Sequence, residues 1–383
     1  MKCNVSDITR NITSIAGAQL KWPGCPNGYL LDNCTYVTAP QASYMKETYL
    51  WMWKIVPPIL IVFGIVGNIC TICVLLRSSK RLTSISQYLL VLACSDTVFL
   101  LNAPLRQWIR FVWSWDIRDQ NNVLCKLSAY LTYATYHFSA WILVAVTMER
   151  GYSVLWPHRV KSICTRKTSV AIIAVIFTGI FLLNVHTLYG VYLNEQPGMA
   201  QKSRCQFLNS AYENFFSTIW NWINFSTAFI GPFSLLFIGN IVIINGIRKS
   251  HNLQKQMCAA SSTANVKNSS ITPVLILLSF VFFISQTPTI YFLYYPFHMK
   301  STRQLPCEKY ALFVHEEDTI WLIYTVTSLV SYINTTVNFA IYFFSGRRFR
   351  EEILRMLRCQ QSNGRAFGEP NPSSLYSASV HAS

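Results

Sequence analysis

Seven stretches of this chain are each long and apolar enough to cross a lipid bilayer as a helix, and that repetition constrains its fold more than any other feature. A bilayer core takes roughly 20 apolar residues in helical form. Such runs lie at about 54–77, 86–110, 122–154, 167–192, 213–247, 270–297 and 317–344. The fifth is interrupted by Asn221, Asn224 and Asn240, which predicts a polar inward face. Composition agrees with a lipid solvent. The 383 residues are 52% hydrophobic and only 13% charged, against about 25% charged in a soluble chain. The expectation is an all-α seven-transmembrane bundle.

Net charge is +16. The basic residues fall in short gaps between apolar runs, not in one patch, which argues against nucleic-acid binding. With the N-terminus outside, the inner segments hold Arg77, Lys80, Arg81, Arg159, Lys161, Arg166, Lys167, Arg248 and Lys249, and Arg347 to Arg365 after the last run. Outer segments are nearly balanced, with acids such as Asp116, Asp119, Glu195 and Glu308 offsetting their bases. This bias puts the C-terminus inside. Glycosylation triplets at Asn4, Asn11 and Asn33 all fall in the N-terminal tail. Cys3, Cys25, Cys34, Cys125, Cys205 and Cys307 are an even set on the predicted outside, where disulfides persist. No apolar core lies in Met1 to Arg10, so the first span is expected to act as its own signal.

The predicted organisation is an outer glycosylated tail over 1–53, a bundle over 54–345, an amphipathic helix over 346–359 and a disordered inner tail over 360–383. Phe349, Ile353, Met356 and Leu357 recur at helical spacing among arginines, as in a helix lying on anionic lipid. Cys359 at its end is a candidate palmitoylation site. The tail is rich in Ser, Asn, Gly and Pro.

Charges inside a span are expensive. Asp96 sits in mid-span with no Lys or Arg at its depth. Asn68, Ser139, Asn334 and Asn338 are the polar groups at that depth. Such a carboxyl takes a proton, binds a hard cation such as sodium, or joins a polar network between helices. Glu149 and Arg150 close the third run at its inner end, either as interfacial charges or within reach of a partner protein. Pro57, Pro104, Pro232 and Pro288 mark bends.

In order, Gly67-Asn68, Leu92-Ala93-Cys94-Ser95-Asp96, Cys125, Glu149-Arg150, Pro232, Phe282 with Pro288, and Asn338 to Tyr342 resemble the rhodopsin-like G-protein-coupled receptors over about 54–359. The resemblance implies a Cys125–Cys205 disulfide, and a switch built on Glu149, Arg150, Phe282, Pro288, Asn338 and Tyr342. It also implies an allosteric sodium ion at Asn68, Asp96, Ser139, Asn334 and Asn338, with no other cofactor. The implied partners are an outer ligand, a heterotrimeric G protein, arrestin and membrane lipid, at the plasma membrane. Four positions depart from the pattern: Gly151 for Tyr, Gln286 for the sixth-helix Trp, Phe339 for the seventh-helix Pro, and no mid-span Trp in the fourth run.

The opsin lysine is missing from 317–344, and Thr132 stands where monoamine receptors carry an acid. The outer mouth is polar and aromatic instead. Arg106, Gln107, Thr132, Tyr133, Tyr136, Asn224, Tyr291, Tyr324 and Tyr332 are the candidate ligand contacts, with Trp108, Trp220 and Tyr295 nearby. Such a mouth suits a peptide, with aromatics as apolar anchors and Arg106 as a fixed cation. Ser84 to Ile109 is similar to invertebrate neuropeptide receptors of the FMRFamide type. The rival readings are a chemosensory receptor for a small molecule and an ion-coupled transporter. A transporter would show internal repeats and broken helices at midplane; the halves share no similarity and the acid is solitary.

Overall fold

The computed structural model describes residues 40–77, 83–194, 205–258, 271–290, 310–345 and 349–355, and within these each of the seven apolar runs is mainly helical. The first helix, α1 (Pro40–Arg77), begins well before residue 54, inside the expected tail. Hydropathy misses its first turns because Tyr44, Lys46 and Glu47 interrupt them. They fold as helix because Tyr49 and Trp53 face the seventh helix, with Trp53 stacked on Phe111 at 5.0 Å. Trp53 Nε1 also donates to Thr325 Oγ1 at 2.9 Å.

Helix α2 (Ser84–Trp113) breaks at Ala103, where Pro104 opens a second segment. Proline suits a first helical turn, where its missing N–H has no partner to lose. Helix α3 (Asn122–Leu155) is the central element, capped at its outer end by Asn121 Oδ1, which accepts from Leu124 N at 2.8 Å. Helix α4 (Arg166–Gly190) is capped by Thr165 and buries few residues, Ser169, Ile180 and Asn184 among them.

Helix α5 (Ser210–Lys249) contains two π turns, Phe216–Trp220 and Ser226–Ile230. A π turn frees a carbonyl from the helical ladder. Trp141 Nε1 takes one of these, Thr227 O, at 3.0 Å. Helix α6 (Ile271–Gln286) ends in a 3-10 turn over Thr287–Ile290 that contains Pro288. Helix α7 comprises Tyr310–Thr336 and Asn338–Ser345, bent by 46°. A short helix α8 follows over 349–355.

Among the described residues, four helices are long and apolar enough to cross a membrane unaided, or five with the bent α7 counted as one span. Helix α3 is long enough but carries a polar stripe, which its central position shields from lipid. Large side chains such as Phe63, Val175 and Phe344 lie on the outside, as a lipid-solvated surface requires. Among the described residues the core between helices has a cluster around Phe138, Ile142, Val146, Leu236, Leu278 and Phe282, joined by Tyr342, and a second around Trp53, Phe99, Leu329 and Tyr332. Outside the bundle, strand β1 (Val191–Leu193) pairs antiparallel with β2 (Cys205–Phe207), Leu193 opposite Cys205.

Asn4, Asn11, Asn33, Tyr291, Tyr295, Cys359 and the remaining outer cysteines Cys3, Cys25, Cys34 and Cys307 lie outside the described residues.

Candidate functional site

The outer mouth is organised by a disulfide and one carboxylate. Cys125 at the top of α3 is bonded to Cys205 of β2, with Cα atoms 5.6 Å apart. Cys205 N donates to Asp119 Oδ1 at 3.2 Å, and Leu193 N to Asn122 Oδ1 at 3.1 Å, so the hairpin is fastened over the bundle. Beside it, Asp116 accepts from Arg106 Nη1 at 3.0 Å and Arg118 Nη2 at 2.9 Å. Burial pushes the Asp116 carboxyl up, but the Arg118 hydrogen bond and the charges of Arg106 and Arg118 outweigh it and hold it below the usual carboxylate range. Arg106 thus points inward to a partner acid. Its neighbour Gln107 is buried and donates to Tyr324 Oη at 3.4 Å.

Below this lie Tyr133, Tyr136, Tyr324 and Tyr332, all at least half-buried. Phe99 stacks on Tyr136 at 5.7 Å and meets Tyr332 edge-on at 5.9 Å. Thr132 and Asn224 also tie helices together. Thr132 Oγ1 accepts from Asn102 Nδ2 at 2.7 Å and donates to Ser128 O at 2.8 Å, fastening α2 to α3. Asn224 Oδ1 is bonded to His137 Nε2 at 2.9 Å.

Gln286, 1% exposed, fills the place of the expected tryptophan with a polar tie. Tyr136 Oη donates to its Oε1, and its Nε2 donates to Ser331 O at 3.4 Å. One side chain of α6 therefore joins α3 and α7 at the floor of the mouth.

At mid-depth, Asn338 Nδ2 donates to Asp96 Oδ2 at 2.6 Å. Ser139 packs beside the same carboxyl and gives its hydroxyl hydrogen to Ser95 Oγ at 3.0 Å. Asn68 Nδ2 donates to Thr335 O at 3.3 Å, and Asn334 is half-buried one turn before Asn338. Asp96 Oδ1 and Asn68 Oδ1 are buried and accept no hydrogen bond. Two buried acceptor oxygens without a donor are exceptions that a folded interior rarely leaves.

At the inner end, Glu149 and Arg150 make no direct contact with each other's charge. Glu149 Oε2 accepts from Ser84 Oγ at 2.5 Å, and Arg150 Nε is buried without a hydrogen-bond partner. Adjacent residues on a helix point in different directions, so the charges sense each other without touching. The α7 bend is present without proline. Phe339 stands there with its ring toward Gly67 and 5.9 Å from Phe349 of α8. Tyr342 is buried in the core, 5.8 Å from the same ring.

One feature of the site escaped sequence reasoning. His137 of α3 joins Asn184 of α4 to Asn224 of α5. Its only sequence signal is a histidine inside an apolar span, one turn after Tyr133.

The chain matches the family described as 7 transmembrane receptor (rhodopsin family) over residues 67–342. It is 23% identical to the B1 bradykinin receptor of Macaca fascicularis, over 77% of this chain and 79% of that one. It is 22% identical to cysteinyl leukotriene receptor 2 of Sus scrofa, over 87% and 88%, and 23% identical to the type-1 angiotensin II receptor of Gallus gallus, over 84% and 85%. Receptors of this class sit in the plasma membrane as multi-pass proteins, bind extracellular ligands and signal through G proteins; they are not enzymes. With the match extending from Gly67 to Tyr342, across the whole helical bundle, the chain belongs to the rhodopsin family of seven-transmembrane receptors.

Proposed function

We propose that this receptor answers to an extracellular peptide, most simply a neuropeptide, and passes the signal to a heterotrimeric G protein at Arg150. The observation that carries the reading is the mouth itself. A partly shared guanidinium, Arg106, stands above an aromatic floor of Tyr133, Tyr136, Tyr324 and Tyr332. Aromatic anchors with a fixed cation recognise peptides well. Relatives named for bradykinin and angiotensin II support a peptide, whereas one named for a cysteinyl leukotriene favours a lipid-like small molecule as the second reading. The FMRFamide-type likeness of Ser84 to Ile109 is narrower than the proposal needs. Cells carrying the receptor and a promiscuous G protein, exposed to a peptide library and a lipid-mediator panel, decide between them. Signals from the lipid panel alone would sink the peptide reading. With an active peptide in hand, Arg106→Ala is expected to raise the half-maximal concentration about 30-fold or more at normal surface expression. An unchanged curve removes Arg106 from the site.

Coupling between the two faces follows from a two-state bundle, in which ligand outside and G protein inside favour the same conformation. The proposal includes sodium at Asp96, with Asn68, Ser139, Asn334 and Asn338 as the oxygen-bearing groups around it. Bound there, the ion neutralises the Asp96 carboxylate and favours the state closed to G protein. Purified receptor is therefore expected to melt higher in sodium than in choline at equal ionic strength, and Asp96→Asn to abolish the difference. Equal melting of the unaltered receptor in both salts would dismiss the site. The N-terminus is placed outside, with Asn4, Asn11 and Asn33 as glycan acceptors and Cys359 as an inner palmitate anchor. Arrestin is the expected second inner partner.

A further inference from the structure

Between α3 and α4 the chain is basic and carries no acid. Arg159, Lys161, Arg166 and Lys167 are all exposed, and among the described residues none of the four is in an ion pair. No Asp or Glu occurs anywhere from Arg150 to Asn194. Arg166 and Lys167 stand in the first turn of α4, the end of a helix least favourable to cations, so neither is there to stabilise the helix. Large apolar side chains stand among these bases: Leu155 and Trp156 are each 49% exposed, and Ile163 43%. Residues three and four apart on a helix share a face. Arg166 and Lys167 therefore lie in line with Val170, which begins an exposed stripe that Phe177 continues two turns on. Hydrocarbon covers that stripe, so the two bases come at headgroup depth on the same side. The region is also fastened to the bundle. Ser169 Oγ donates to Gln87 Oε1 of α2, one turn from Ser84, which holds Glu149. Ser153 of α3 is bonded to Cys164 of the loop, Oγ to Sγ, at 3.8 Å.

We propose that this surface binds the headgroup of a polyanionic inner-leaflet lipid, a phosphatidylinositol bisphosphate being the representative. Charge decides the class. Each base near a membrane surface strengthens the attraction to anionic lipid by about fivefold. Several phosphates on one ring meet several bases at once, whereas phosphatidylserine offers a single net charge. The exposed Trp156, Leu155 and Ile163 enter the interface beside the headgroup. That apolar contact favours a lipid over a soluble phosphate, and over an acidic protein surface arriving from the cytosol. Bound there, the lipid holds the inner ends of α2, α3 and α4 together next to Glu149 and Arg150. The inference is independent of the outer mouth and stands whether or not the ligand is a peptide.

The test uses purified full-length receptor in detergent and native mass spectrometry. Phosphatidylinositol 4,5-bisphosphate and phosphatidylserine are added together, and the bound fraction of each is read. The bisphosphate is expected to bind about fivefold better or more. Changing Arg159, Lys161, Arg166 and Lys167 together to Gln is expected to lower its binding by about tenfold or more. Should that variant fail to fold, Arg166→Gln with Lys167→Gln carries the test, with a fall of about fivefold expected. Inositol 1,4,5-trisphosphate has a headgroup of the same kind without tails, and should displace the lipid only at about tenfold higher concentration or above. Displacement at equal concentration marks a site for soluble phosphate, and the lipid proposal falls. Neutralising Arg355 and Arg358 beside α8 is expected to leave most of the bound bisphosphate in place. Loss there, with none in the four-base variant, puts the lipid at α8 and overturns the proposal. Equal binding of the two lipids also overturns it, and leaves the bases to an acidic protein surface.

Discussion

Replacing His137 by leucine is expected to destabilise the receptor by about 2–5 kcal/mol, a fall of about 5–15 °C in melting temperature. His137 is 0% exposed at the meeting of α3, α4 and α5. Its Nε2 bonds Asn224 Oδ1 at 2.9 Å and its Nδ1 bonds Asn184 Nδ2 at 3.2 Å. An amide oxygen only accepts and an amide nitrogen only donates. The ring is therefore the neutral tautomer with hydrogen on Nε2. Leucine keeps the volume roughly and removes both bonds. It strands Asn224 Oδ1 as an acceptor without a donor. It also leaves Asn184, whose Oδ1 is already unpartnered, with only its 2.7 Å bond to Ile180 O. In a lipid-embedded bundle no water replaces those partners, so the loss is that of desolvated amides and not of two ordinary bonds. Changing all three residues to leucine is expected to recover part of the loss, because no polar group is then orphaned. Thermal melting of the three proteins in one detergent checks this. A single His137→Leu variant melting within about 1 °C of the parent would contradict it.

This network also marks where sequence reading stopped. The spans were legible because hydrocarbon imposes a length and a composition on each one. The ordered motifs were legible because each sits at a fixed place along its helix. Contacts between helices were not. His137 meets residues far along the chain, and nothing local in α3 names Asn184 or Asn224 as its partners. Thr132 and Asn224 were read as ligand contacts from depth and polarity alone, although each also serves a neighbouring helix. Glu149 and Arg150 were legible as charges at the inner end, but their partners were not: helical geometry turns adjacent side chains apart, and Ser84 of α2 takes the carboxylate. The start of α1 was missed because Tyr49 and Trp53 owe their burial to α7 and not to a local apolar run. Phe339 was the opposite case. It departs from the family's proline, yet the helix still breaks at Val337, and the phenylalanine ring fills the space that Gly67 leaves open.

Gly190→Ala tests the same kind of long-range fit at the outer end. A Cβ at Gly190 would lie 1.7 Å from Tyr212 Cζ and 2.1 and 2.2 Å from two other ring carbons. No small adjustment clears three ring atoms, so the tyrosine must leave its place. It is held there by a 2.8 Å bond from its hydroxyl to His186 Nδ1 and by Phe207 and Phe215, each 5.8 Å away between ring centres. Expelling it separates the start of α5 from the end of α4, beneath the β1–β2 hairpin. The expected loss is about 2–4 kcal/mol, made up of overpacking, one partly buried hydrogen bond and an aromatic contact. The same reasoning fixes how a second substitution behaves. Tyr212→Ala loses the bond and the ring contacts by itself, and Gly190→Ala added to it has nothing left to strike. The double variant should melt close to Tyr212→Ala alone, a coupling of about 1–3 kcal/mol between positions on different helices. Additive losses, or a Gly190→Ala variant as stable as the parent, would show that Tyr212 does not rest on Gly190.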